Sequence, residues 1–477
     1  MTRILMFFFL FLTTCSKGHE NTQLHDLKSV SRTLSVEVAP YVSINTEKIL
    51  LTGALIYTGD GSPPLNDYSI LIEGSRITAL GPNEDVAAPR GALVIKLSGK
   101  TIMPGIVGMH NHTHMPGVTL MNYTAPRLYL AGGVTTIATA GSADPIGELQ
   151  IAKAIAAGNA PGPRIFPSAP YITGPGGNGP MQKLKGEAEA RAFVNSWADK
   201  GVRWFKLYRH TDPQIAKVVI DQAHRRGLKV TGHLCSITYR QAALMGIDKI
   251  EHGLNPASDF AKNKPDGKCV PSRVPKAALD PNGPELGALI DLLVANGVTL
   301  TSTLAILETG FPHRPQADQR SLDALAPSHV QTYRERQIRL AASVGTTSST
   351  PEYWDMLLTF ERNFVDAGGH LVAGPDTGRH IVPGFGDQRN FELLVEAGFS
   401  VQETIKIMTH NGAMTLGIGD DVGLIKAGYQ ADFLVIDGDL ATDPSIIRKL
   451  DTVFRMGFGF DPNRLIEDTK GQVGEGE

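Results

Sequence analysis

The chain has 477 residues and a formal net charge of −3; 42% of its residues are hydrophobic and 19% charged. That composition supplies apolar material for a large core and excludes a disordered chain. No Lys/Arg block is present to neutralise phosphates, so a nucleic-acid binder is excluded as well. Its three cysteines exclude a disulfide-stapled mini-fold and a four-cysteine zinc knuckle.

In chain order, residues 1–15 read as a signal peptide: Arg3 is followed by an apolar run, Ile4 to Leu12, too short to span a bilayer, which takes about 20 residues. The run ends in Leu12-Thr13-Thr14-Cys15, similar to a bacterial lipobox except at Thr14, which makes Cys15 a candidate for lipidation. The expected location is exported, either periplasmic or as an anchored lipoprotein, with the membrane reached only through that anchor. Residues 16–46 are polar and read as a tether.

Short apolar runs at Lys48–Ile56, Tyr68–Glu73, Arg76–Leu80 and Leu93–Leu97, punctuated by glycine turns, predict β-structure over 47–103. A second β-like set at Gly423–Ile425, Ala431–Ile436 and Thr452–Phe454 lies within 419–462. Together they predict one small β-sandwich built from both ends of the chain. Residues 463–477 read as a polar tail.

Between them, residues 104–418 alternate strand and helix. Eight strands are predicted, at Thr101–Met109, Val134–Thr139, Pro163–Pro167, Val202–Leu207, Leu228–Thr231, Lys249–His252, Val298–Ser302 and His370–Gly374. The helical patterns include Glu187–Asp199, Gln214–Arg226, Leu286–Asn296 and Glu352–Ala367. This is the pattern of a (β/α)8 barrel, an α/β fold whose active sites lie at the carboxyl ends of the strands. Two stretches, Leu254–Pro284 and Leu307–Thr350, read as long functional loops.

His110 and His112 close the first predicted strand, where residues two apart share a face and can reach one ion. Lys206, His233, His252 and Asp376 fall at the carboxyl ends of later strands. Such titratable groups converge on one mouth of a barrel.

The sequence resembles the amidohydrolase superfamily from Lys48 to about Pro462. The carriers are Pro104-Gly105-Ile106-Val107-Gly108-Met109-His110-Asn111-His112, Gly201 to Lys206, Gly246 to Gly253, Ala373 to Thr377 and Gly423 to Asp432. Gly108 departs from the first motif, where an aspartate is more common. The resemblance implies two divalent metal ions, most often zinc. His110, His112 and Asp376 would hold one ion and His233 and His252 the other. Lys206, carbamylated by CO2, would bridge them. It also implies amide (C–N) hydrolysis of a small molecule, linear or cyclic, by a metal-bridging hydroxide with Asp376 as proton shuttle.

Within the superfamily, deaminases carry His-x-x-Glu after the fifth strand, where this chain has His233-Leu234-Cys235-Ser236. The absent glutamate disfavours deaminase or imidazolonepropionase-like chemistry. The lysine-bridged branch that includes Xaa-Pro dipeptidase-like enzymes is more similar, although Cys235 stands where those often have tyrosine. Lactone or ester hydrolysis is the alternative on the same scaffold. An exported binding protein on an inactive amidohydrolase fold is the non-enzyme alternative. His114, Tyr208, Arg209, His210, Arg379 and His380 are candidate substrate contacts, and Cys235 and Cys269 candidates for a disulfide. A homo-oligomer is compatible with all of this.

Overall fold

The computed structural model describes residues 33–115, 119–177 and 181–475. Eight parallel strands form the barrel: β1 (Ile106–Asn111), β2 (Val134–Thr139), β3 (Arg164–Phe166), β4 (Trp204–Leu207), β5 (Lys229–Gly232), β6 (Lys249–Glu251), β7 (Thr299–Ser302) and β8 (Leu371–Ala373). Strands β1 to β3 pair in order, as do β4 to β8. The two arcs meet through a parallel bridge between Ser168 and Trp204. At the other seam the Asp376 amide donates to the His110 carbonyl at 3.0 Å. Every residue of β1, β2 and β4 is buried, as expected for strands covered on both faces.

The helices owe their limits to local chemistry. Helix Pro213–Arg225 starts with proline in its first turn while the Asp212 carboxylate accepts from the Gln214 and Ile215 amides, and it buries Ile215, Val218, Val219 and Ala223 along one face. Helix Tyr239–Met245 opens with a Thr238/Gln241 capping box. Both lie on the outside of the barrel and leave the strand ends free for chemistry.

The β domain orders its strands as Val42–Ile44, Phe458–Phe460, Leu450–Arg455, Phe433–Asp437, Lys100–Pro104, Lys48–Ile56, Leu65–Glu73 and Arg76–Pro82, with Leu93–Lys96 also against Lys48–Ile56. Both ends of the chain therefore contribute. Ile49, Leu51, Ile70, Ile72, Phe433, Val435 and Phe454 form its core.

The structure departs from the sequence reading at several places. The strand predicted at Thr101–Met109 is two strands. Lys100–Pro104 pairs with Phe433–Asp437 in the β domain, whereas Ile106 onward pairs with β2. The switch falls at Gly105, whose amide donates to the Asp432 carbonyl while the Ile106 amide donates to that of Gly133. Gly423–Ile425 is not a strand; the Ile425 amide instead bonds the Thr58 carbonyl. The stretch Leu307–Thr350, read as a loop, holds helices Gln319–Ala324 and Pro327–Ala342. Helix Pro327–Ala342 buries none of its residues fully, so its sequence lacks the strong apolar stripe that marks a helix. The supposed polar tail contains helix Pro462–Thr469, anchored by buried Leu465. Its Asp468 reaches Tyr41, Tyr123 and Arg127. Residues 42–44, assigned to the tether, pair with Phe458–Phe460. The expected signal peptide, Cys15 and residues 16–32 lie outside the described residues.

Candidate metal centre

His110 and His112 project from the end of β1, two residues apart on one face, and Asp376 follows β8. The His110 Nε2 lies 3.3 Å from the Asp376 carboxylate and the His112 Nε2 3.0 Å. Ligand atoms of these three residues all lie within 4.8 Å of one another; among the described residues this is the one cluster of three or more His, Cys, Asp or Glu that could hold an ion. Gly374 makes the closure possible, since a Cβ there would fall 2.3 Å from the His110 amide nitrogen.

His252 and His233 extend the cluster. The His252 ring lies 4.7 Å from His110 and 4.5 Å from His233, and its Nδ1 lies 3.8 Å from Asp376. Both His252 (φ +71°) and Asp376 (φ +54°) adopt left-handed backbone. Non-glycine residues take that conformation at a cost, and it concentrates at functional sites. Burial pushes the His233 imidazole down to about 3, helped by the Lys206 and Arg209 charges. His252 is likewise held well below the usual imidazole range, by burial and then by its histidine neighbours. Neutral imidazole is the form that binds a metal.

Lys206 stands one residue before the end of β4 and is buried, and its ammonium has no hydrogen-bond partner. The nearest carboxylate is Glu251, 3.7 Å away. Burial lowers its pKa to about 8, despite the opposing Glu251 charge.

Glu251 was not among the residues singled out from the sequence. Its carboxylate meets His110 Nδ1 at 2.7 Å and Lys249 at 2.8 Å and accepts from the Thr231 hydroxyl. Burial alone would raise its pKa, but Lys206, Lys249 and His110 outweigh that and hold it well below the carboxylate range. A carboxylate on His110 Nδ1 directs the Nε2 lone pair towards the cluster. Similarly, His252 Nδ1 meets the Thr303 hydroxyl at 2.8 Å and His112 Nδ1 the Tyr171 hydroxyl at 3.4 Å. The donor set therefore fits a metal: oriented imidazoles, an ionised carboxylate and a buried amine left without a hydrogen bond. Gly108, the departure in the first motif, leaves room for the Asn111 amide, which donates to buried Asp387 at 3.2 Å.

The candidate substrate residues divide. His114 and Tyr208 stand beside the donors: His114 meets the Tyr171 hydroxyl at 3.1 Å, and the Tyr208 ring lies 4.9 Å from His233. Arg209 is exposed at the rim with its guanidinium 3.8 Å from the Cys269 sulfur, and His210 sits against the Gly174–Gly176 turn. Arg379 bonds the Thr309 hydroxyl, and buried His380 packs on Tyr333. Cys235 and Cys269 are joined in a disulfide that ties the 254–284 segment beside His233. Tyr171, like Glu251, was missed. Its only sequence signal is its place just beyond the third strand.

A parallel eight-stranded barrel with a cluster of potential metal ligands at its carboxyl mouth and a two-ended β domain is an architecture shared with known amidohydrolases. Residues 376–469 match the amidohydrolase family model. A dihydroorotase from Lactobacillus leichmannii is 38% identical over 103 residues, 20% of this chain and 22% of that protein. The first curated relatives are matched over only about a fifth of their length. An imidazolonepropionase from Deinococcus radiodurans is 25% identical over 78% of this chain and 86% of its own. The structure of a Xaa-Pro dipeptidase with bound methionine superposes with a TM-score of 0.64 at 19% identity, over 87% of this chain and 100% of that one, and that of a prolidase from Bifidobacterium longum with a TM-score of 0.65 at 24% identity, over 89% and 99%. At that identity the likeness shows the fold. The amidohydrolase resemblance read from the sequence is thus borne out.

Proposed function

We propose that the protein hydrolyses an amide C–N bond, linear and peptide-like or cyclic, in a small molecule. The observation that carries this reading is the convergence of His110, His112 and Asp376 within 4.8 Å, beside His233, His252 and a buried Lys206 whose amine makes no hydrogen bond. His110, His112 and Asp376 would hold one divalent ion and His233 and His252 a second, with zinc the best match to imidazole and carboxylate donors. Lys206 would join them as a carbamate: its neutral amine bonds the carbon of CO2 and releases a proton, giving an anionic oxygen donor. Bound divalent ions supply Lewis acidity and a water acidified to near-neutral pH.

The chain's own groups handle the proton. Burial pushes the Asp376 carboxyl up, but the neighbouring histidines outweigh it and hold it well below the usual range. It is therefore ionised at neutral pH, able to accept the proton of the attacking water and pass it to the leaving nitrogen. The half-buried Tyr171 and Tyr208 pack ring to ring beside the donors and narrow the approach of bulk water. The deaminase alternative loses support because Ser236 stands where such enzymes carry a glutamate, and its hydroxyl is turned to the Thr211 carbonyl at 2.6 Å. The Cys235–Cys269 disulfide supports export, since such bonds persist in oxidising compartments.

The test is a panel of dipeptides, N-acyl amino acids and cyclic amides assayed with and without chelator. Hydrolysis that is lost on chelation and restored by zinc is expected. Tight binding without turnover, or turnover indifferent to chelator, would contradict the reading.

A further inference from the structure

A cleft of about 440 Å³ lies between helix Pro327–Ala342 and Met115, Arg379 and His380, residues a few positions beyond His112 and Asp376. Met115, Tyr333 and Leu340 give it apolar walls, while Arg336, Arg339 and Arg379 give it positive charge. It is continuous with the metal-ligand residues along the chain. Met115 follows His114, whose ring lies 4.9 Å from that of His112, and Arg379 follows Asp376 through Thr377 and Gly378.

The arginines are gathered without an anion of their own. Arg336 donates to the Thr309 carbonyl at 3.0 Å and Arg379 to the Thr309 hydroxyl at 2.8 Å, so one residue holds both guanidinium groups. Among the described residues neither group, nor that of Arg339, has a carboxylate within ion-pairing distance. The charges that bear on Arg336 are Arg379 and Arg339, both of its own sign, and its buried Nε has no partner. The one carboxylate that bears on Arg379 is Asp376, whose charge is committed to the donor cluster. Like charges held together around an unpartnered N–H are costly unless an anion joins them.

We infer that this cleft binds the carboxylate of an amide substrate, with Arg336 and Arg379 as its two forks and the apolar wall covering the rest of the acid-bearing half. A planar carboxylate accepts paired hydrogen bonds from guanidinium groups, which a point charge does not reproduce. This deepens the hydrolase reading and rests on it: the scissile bond lies towards Asp376 and the free carboxylate towards helix Pro327–Ala342. The substrate class is then an N-acyl amino acid or a short peptide with a free C-terminus.

The test separates binding from turnover. 4-Phenylbutyrate and 4-phenylbutanol, neither of which can be hydrolysed, are titrated calorimetrically into the metal-loaded wild type and into Arg336→Met and Arg379→Met. The acid is expected to bind at least about tenfold more tightly than the alcohol, and each variant to lose about tenfold in acid affinity with the alcohol unchanged. Thermal melts confirm that the variants are folded, and Arg379→Met serves should Arg336→Met be unstable. Equal binding of acid and alcohol, no binding of the acid, or an acid preference that survives in both variants overturns the inference; the last outcome would assign the carboxylate to the metal. Failure of the hydrolase reading looks different, as acid-selective binding with no turnover of any amide.

Discussion

Asp376 combines a left-handed backbone, at φ +54°, with contacts to three histidines. Asparagine tolerates that backbone and keeps the shape of the side chain, so Asp376→Asn is expected to retain the thermal stability of the fold. Turnover is expected to fall at least about a thousandfold, because the proton acceptor is gone; near-normal kcat would remove Asp376 from its role. Glu251→Gln tests the buried network beside it. Without that carboxylate Lys206 and Lys249 are stranded in the core, and the loss is expected to be about 3–5 kcal/mol, read as a large drop in Tm. Glu148 gives a pH signature. Burial raises its pKa from 4.5 to about 7, against hydrogen bonds from the Thr139 and Thr113 hydroxyls. The folded chain thus holds this proton more tightly than the unfolded chain. Its contribution is fully present below pH about 4.5 and is lost as pH rises towards about 7, at a cost of about 3 kcal/mol. Glu148→Gln is expected to melt progressively higher than wild type between pH about 5 and about 8; a Tm difference flat with pH would contradict it. At this scale the donor residues were legible, because strand ends and two-residue alternation mark them in the sequence. Glu251, Tyr171 and Asp387 were not: their partners His110, His114 and Asn111 lie far away in the chain.

Among the elements, the barrel strands were readable because each is a short run buried on both faces, bounded by glycine or polar turns; β2 falls at Val134–Thr139 as predicted. Helix Pro327–Ala342 escaped because none of its residues is fully buried, leaving no apolar period to read. The strand Phe458–Phe460 was too short to stand out between its turns. The Cys235–Cys269 bond closes a segment of 34 residues beside His233. In the chain-entropy account such a closure contributes about 4 kcal/mol. Cys269→Ser is expected to speed hydrogen exchange across residues 254–284 while β1 and β2 stay protected. Uniformly faster exchange, or none, would show that the bond does not act locally.

For the molecule as a whole, the β domain could be inferred from strand-like runs at both ends of the chain, but its junction with the barrel could not. Continuous apolar sequence runs through Gly105, and only the change of partners, from Phe433–Asp437 to β2, divides it. Net charge close to neutral hides a concentrated site in which four imidazoles, a carboxylate and a buried amine without a hydrogen bond meet at the barrel mouth. The central claim is that this site holds metal and that the metal is needed for hydrolysis. Metal analysis of the purified wild type alongside His112→Asn and Lys206→Ala tests it most directly. About two divalent ions per chain are expected in the wild type, with loss of metal in both variants and activity lost in step. A wild type that binds no stoichiometric metal, or variants that retain the full complement, would contradict the account.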